Sequence, residues 1–179
     1  PLLVLGPIPI HHIMLACSGY ENFYLHWMDF PDRIERLLRV MEARYEELWG
    51  AVAGTSAGIV LHGAHWSSEM TPPPFFRRCF LPYYRRFSDF MHRAGKRCVF
   101  HADSDLSALL TEVLESGADV ADCFACAPLV RLTFREARRA WGNRVTIWGA
   151  IPSTILLPSC PYSEFRAYLD DLERNLGDG

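Results

Sequence analysis

The sequence predicts an α/β fold of parallel strands, a (β/α)8 TIM-barrel type of which only four to five βα units are present. Three observations predict it. Short apolar runs rich in Val, Ile and Phe alternate with amphipathic helical stretches. That alternation implies parallel strands joined by right-handed crossovers. The strand-like runs carry apolar residues on both faces, as expected when helices cover one side and a core fills the other. An open doubly wound sheet is the alternative, but no glycine-rich phosphate loop follows any strand. A full barrel takes eight units and about 250 residues. This chain has 179 and reads as one partial barrel domain over residues 1–179.

The elements follow in order. "PLLVLG" (1–6) is a candidate first strand. A helix follows Pro31, with Ile34, Leu37, Leu38, Met41, Tyr45 and Leu48 on one face and Gly50 as its stop. "GIVLHG" (58–63) is the next strand. Thr71 and three prolines precede a helical run from Phe75 to Arg93, which Gly95 ends and which Pro82 should kink or split. "RCVFHA" (97–102) is a strand, followed by a helix striped by Leu106, Leu109, Leu110, Val113 and Leu114 and closed by Gly117. "DVADCFA" (119–125) is a strand, and Thr133 with Glu136 forms a capping-box pair for the helix after it. "VTIWGAI" (145–151) is the last strand. Phe165, Leu169, Leu172 and Leu176 mark the last helix, with Gly177 at its end.

Composition narrows the functional classes. The formal net charge of -3 gives no reason to expect nucleic acid or an acidic membrane surface as a partner. The arginine clusters (Arg77, Arg78, Arg85, Arg86; Arg135, Arg138, Arg139) have helical spacing and read as solvated helix faces. No apolar stretch is long enough to span a bilayer. The opening "PLLVLGPIPI" lacks a basic leader and is broken by prolines, so an interior strand is expected rather than a signal peptide. Six cysteines without an export signal suggest reduced thiols, hence a cytoplasmic protein. A half-barrel leaves strand edges and an apolar face open, so a homo-oligomer or further chain segments completing the barrel are expected.

In this architecture chemistry sits at the C-terminal ends of the strands. Those ends carry His62 then His65, Ser67, Ser68 and Glu69; His101, Asp103 and Asp105; Asp122, Cys123 and Cys126; and Trp148 with Gly149 and Pro152. Imidazole, carboxylate and thiol can bind a divalent metal or transfer protons. Each also has a structural reading. Either Asp103 or Asp105 is expected to cap the helix beginning near Leu106, which leaves the other, and His101, unexplained. His101 as a satisfied core histidine and His101 as a site residue are both open. His62 and His65 are expected to serve loop packing. Cys123 and Cys126 form a CxxC without the second pair that a structural zinc site wants, so buried thiols are expected. His11, His12, Tyr20 and Tyr24 follow the first strand and either pack or line the pocket.

The stretch "TPPPFFRRCFLPYYRRFSDFMHRAGKRCVFHADSDLSALL" resembles the uroporphyrinogen decarboxylase superfamily. That family shows a Pro-led helix start, an "LPYY" segment, a Gly-Lys helix end, a strand ending "H-x-C-G" or "H-x-D-G", and a Leu-rich helix. "SGADVADCFACAP" and "EARRAWGNRVTIWGAIPSTILLP" resemble its next two units, and "SGYENFYLHWMDFPDRIERLL" the segment ahead. The resemblance implies a (β/α)8 barrel. It also implies one of two activities: a cofactor-free tetrapyrrole decarboxylase, or a methyltransferase using zinc or another divalent metal with a corrinoid partner protein or a thiol acceptor. Carried over, His101 matches the zinc histidine and Asp103 stands where the zinc cysteine would be. Oxygen in place of sulfur permits a metal but loosens the case for zinc. Asp122 falls where some relatives carry an acidic residue. The resemblance therefore implies His101, Asp103 and Asp122 as metal ligands and Asp103 and Asp122 as catalytic carboxylates. His65, Tyr24 and Trp148 are the candidate contacts to a small-molecule substrate. The expected activity is metal-assisted methyl transfer. A decarboxylase, or a barrel fragment that only binds or assembles, is the alternative.

Overall fold

The computed structural model describes residues 1–63 and 65–176. Five strands form one parallel sheet in chain order: β1 Leu2–Gly6, β2 Ile59–His62, β3 Arg97–His101, β4 Val120–Phe124 and β5 Thr146–Gly149. Neighbours in sequence are neighbours in space, which is the strand order of a barrel arc and not of a doubly wound sheet.

Register fixes which side chains share a face. Val4 pairs with Leu61, Leu61 with Val99, Val99 with Val120, and Val120 with Thr146. One residue to either side of these, Val60, Cys98, Phe100 and Ala121 join the core shared with the helices. Val99 and Val120 are buried but lie outside that core cluster. They lie on the opposite face of the sheet, where Leu2, Val4 and Trp148 are exposed. His101 and Asp122 are paired and end this second face on adjacent strands.

The helices mostly follow the sequence pattern. Helix α1 (Pro9–His12) runs into a π-helical turn (Ile13–Ser18), then α2 (Tyr20–Asp29); the sequence pattern had not marked them. Helix α3 (Pro31–Ala53) begins at the expected proline but continues past Gly50. Trp49 and Val52, buried on either side, hold the last turn and outweigh the ~1 kcal/mol that a helical glycine costs. The run around Pro82 is split, as expected, into α4 (Pro73–Cys79) and α5 (Leu81–Arg93). The break falls at Phe80, because Pro82 fits the first turn of the second helix, where its missing N–H costs nothing.

The helix expected from Leu106 starts later, as α6 (Leu110–Ser116), and neither aspartate caps it. Its N-cap is Leu109, without a side-chain bond. Asp105 instead accepts from the Leu132 N–H (3.1 Å) and the Ser107 hydroxyl (2.6 Å), tying this turn to the next βα loop. Helix α7 (Phe134–Trp141) carries the full Thr133–Glu136 capping box. Helix α8 (Tyr162–Leu176) ends the described chain, and Gly177 lies outside the described residues.

Lys96 explains the Gly-Lys helix end. Gly95 takes φ 72°, and the buried Lys96 ammonium then donates to the carbonyls of Thr55 (2.9 Å) and Ala57 (2.6 Å). It pins the α3–β2 connection under the sheet. Among the described residues no helix is long and apolar enough to cross a membrane.

Candidate functional site

The strand ends bring four of the predicted residues together. The His65 Nδ1–H donates to Asp103 Oδ2 at 2.9 Å. His101 Nε2 lies 3.7 Å from the same Asp103 oxygen, and the His101 Nδ1–H donates to Asp122 Oδ2 at 3.1 Å. The two imidazoles stand edge to face with centroids 6.2 Å apart. Two histidines thus alternate with two carboxylates across β2, β3 and β4. Asp103 Oδ1 is buried and has no hydrogen-bond partner among the described residues.

Backbone strain marks the same rim. Among the described residues, three non-glycine residues have positive φ: His65 (55°), Cys123 (54°) and Ala150 (63°). They follow or end β2, β4 and β5, the edge where the resemblance places the chemistry. Each costs on the order of 1–3 kcal/mol and persists only where its surroundings hold it. Ala150 is held by its carbonyl, which accepts from the Tyr168 hydroxyl (2.5 Å) and the buried Cys126 thiol (3.5 Å).

Cys123 departs from expectation. Read as a buried thiol, it is exposed, whereas Cys126 is buried as expected. Between Ala121↔Ile147 and Phe124↔Gly149 the β4 strand takes three steps and β5 two, so β4 bulges by one residue. In a regular strand Cys123 would point opposite to Asp122, toward the helices. The bulge brings it out beside Asp122. Partial burial, then Asp122 and Asp103, push its thiol pKa above the ordinary value. The signal in the sequence was "ADCF": two polar residues in succession at a strand end break the alternation.

The other predicted substrate contacts lie elsewhere. The Tyr24 hydroxyl donates to the Met70 carbonyl and the ring packs on Phe75; burial raises its pKa to about 12. Tyr20, not Tyr24, lines a small recess of about 300 Å³ with His65, Ser67 and Ser104. Trp148 is half-exposed on the open face of the sheet and borders neither this recess nor the groove beside it. That groove, about 750 Å³, is lined by Glu69, Asp103, Asp105 and Arg131 among others.

His62 is structural, as expected: it is fully buried, with its two ring nitrogens bonded to the Gly6 carbonyl and the Tyr83 hydroxyl, both at 2.9 Å. His11 is fully buried and neither nitrogen has a partner among the described residues. Burial, and secondarily His65, lower its pKa to about 3. At the opposite end of the sheet His92, Cys98 and Asp119 also converge. There Asp119 already accepts from His92 (2.7 Å), Arg97 (2.9 Å) and the Cys98 N–H (2.7 Å), so the cluster is a structural tie between α5, β3 and β4.

Residues 3–171 match the family model for uroporphyrinogen decarboxylase (URO-D). The chain belongs to this family. A search of curated proteins finds no match. The match takes in the rim cluster and all but the first residue of the five strands, and the parallel sheet is consistent with part of a TIM-type barrel.

The residues at this URO-D rim fit a divalent cation. His101, Asp122 and Cys123 each offer a ligand atom, and these atoms lie within 4.8 Å of one another. Nitrogen, oxygen and sulfur donors of this kind suit zinc or a similar borderline ion. The unpartnered Asp103 Oδ1 adds a buried negative end that only a cation or a donor group satisfies.

Proposed function

We propose that this URO-D family chain is an enzyme that moves a methyl group from a small methylated substrate to a corrinoid or thiol acceptor, assisted by a divalent metal at His101. One observation carries the reading: His101 is held between two carboxylates, Asp122 at one ring nitrogen and Asp103 at the other. A bound metal would supply Lewis acidity, favouring the charged form of a thiol or leaving group. The chain's own residues supply the rest. Asp103, fixed by His65, orients His101 and stands ready to accept a proton at Oδ1. Tyr20, Ser67 and Ser104 form a recess of the size of a small substrate beside that carboxylate. The exposed face bearing Leu2, Val4 and Trp148 is the surface for further barrel units, a second copy or the acceptor protein.

The family's eponymous reaction, decarboxylation of uroporphyrinogen, is the second reading. It needs cations to hold the substrate's carboxylates. The groove beside Asp103 offers Arg131 against Glu69, Asp103 and Asp105, so its charge opposes that substrate.

Metal analysis tests the proposal. Purified protein dialysed against zinc or cobalt is expected to retain close to one equivalent, and His101→Ala to retain none. Protein that stays metal-free after both ions are offered overturns the metal-assisted reading. Turnover of a polycarboxylated tetrapyrrole by that metal-free protein would establish the decarboxylase instead.

A further inference from the structure

We propose that Cys123 is the thiolate ligand of this centre, so that the metal sits on His101 Nδ1, Asp122 and Cys123, with Asp103 as a positioning residue and not a ligand. The proposal rests on the reading of His101 as a metal holder and goes beyond it by assigning the donor set.

Four observations carry it. First, the ligand atoms of His101, Asp122 and Cys123 fall within 4.8 Å of one another. Tetrahedral N, O and S donors around zinc stand about 3.3–3.8 Å apart, so a side-chain rotation of about 1 Å closes the set. Second, the bulge in β4, which also turns Phe124 into the core against Trp141, reverses the face of Cys123. It puts a non-glycine residue at φ 54° in the middle of a sheet, and its result is to bring Cys123 out beside Asp122. Third, β5 is shaped to allow it. Gly149 takes φ 114°, and a Cβ there would stand 3.0 Å from the Phe124 nitrogen and 3.4 Å from the Cys123 carbonyl carbon, the backbone of the bulge itself. Fourth, the converging set leaves out Asp103, whose Oδ2 accepts from His65 at 2.9 Å, which suits it to orient and not to ligate.

The tautomer follows. Without metal, the His101 Nδ1–H donates to Asp122. A metal at Nδ1 would require that proton on Nε2, the nitrogen that faces Asp103 Oδ2 at 3.7 Å. The Cys123 thiol would give up its proton to solvent on binding. A dication held by one thiolate and one carboxylate would leave a site of zero net charge. Asp103–His101–metal is then the carboxylate–histidine arrangement that fixes a ligating ring.

The test replaces zinc by Co(II), whose thiolate complexes absorb in the near ultraviolet by sulfur-to-metal charge transfer. The full chain titrated with Co(II) is expected to develop this band to saturation at one equivalent. Cys123→Ser is expected to lose the band and to bind Co(II) at least ten-fold more weakly, while circular dichroism confirms that it is folded. Cys17→Ser, an exposed thiol outside the converging set, is expected to keep both. A band that survives in Cys123→Ser, or Co(II) bound by the native chain without a band, overturns the thiolate assignment and leaves His101 as a metal holder. A native chain that binds no Co(II) overturns both.

Discussion

Acid should unfold this protein through two histidines that take no part in the site. Burial lowers the pKa of His11 from 6.5 to about 3 and that of His62 from 6.5 to about 4. The unfolded chain therefore binds protons that the folded chain refuses, and stability falls as pH drops below 6.5. At pH 5 both groups are charged when unfolded and neutral when folded. Each then costs about 1.36 kcal/mol per pH unit below 6.5, or about 2 kcal/mol, and the pair costs about 4 kcal/mol. Domains of this size have about 5–15 kcal/mol in total, so the loss is large. The effect continues down to about pH 4 for His62 and about pH 3 for His11. Urea unfolding at pH 7 and pH 5 measures it. His11→Leu is expected to lose about 2 kcal/mol less than the native chain between the two pH values, the carboxylate contributions being common to both. The same variant should be more stable at pH 7 by about 1 kcal/mol or more, because both His11 nitrogens are buried without partners. An unchanged pH 7-to-5 difference in His11→Leu would refute the assignment of acid sensitivity to burial.

Three further outcomes follow from the packing. Gly149→Ala should destabilise the chain by about 2–3 kcal/mol and weaken metal binding, since φ 114° and the 3.0 Å approach to the Phe124 nitrogen leave no room for a methyl group; thermal melting with metal retention reads both. Lys96→Met should cost about 2 kcal/mol or more by leaving the Thr55 and Ala57 carbonyls without their donor, with hydrogen exchange rising in the α3–β2 connection. Asp103→Asn keeps the shape but not the charge behind His101, and should weaken Co(II) binding about 10–100-fold without removing the thiolate band.

The architecture was legible because apolar periodicity reports burial directly. All five strands lie inside the five runs picked out by their Val, Ile and Phe content, and the Thr133–Glu136 box starts its helix as the side-chain spacing requires. Legibility failed where tertiary contacts overrode local chemistry. Asp105 was a plausible cap until the loop after β4 arrived to donate the Leu132 N–H to it. Gly50 should stop a helix, but Trp49 and Val52 bury the turn that follows. The π-helical turn at Ile13–Ser18 has no sequence signature, because it comes from seating Ile13 and Met14 in the core behind β1. At the rim, the strand ends alone put His65, His101, Asp103, Asp122 and Cys123 on one edge, while the ligand roles came only with the family resemblance. The exposure of Cys123 was not legible, because a one-residue bulge reverses the face that strand alternation assigns to it. Tyr24 was chosen over Tyr20 for want of any local cue separating them. The choice is made by the Met70 carbonyl, 46 residues away.

Charge and strain at the rim point in one direction. Glu69, Asp103 and Asp105 face one groove with Arg131, and Asp122 stands behind His101. Two like charges 4 Å apart cost about 4 kcal/mol at an effective dielectric constant near 20. A polycarboxylated substrate set against Asp103 meets that repulsion several times over, with one guanidinium to offset it. A cation in the same place relieves it, and also satisfies the orphaned Asp103 Oδ1 by field if not by contact. The strained backbone at His65 and Cys123 adds a second, independent reason. Positive φ costs about 1–3 kcal/mol at each such residue. Two of the three strained rim residues carry metal-ligating or proton-transferring atoms, one bonded to Asp103 and the other beside Asp122, while the third, Ala150, carries none. On the proposed reading, the strain at His65 and Cys123 holds converging donor atoms where a cation would sit.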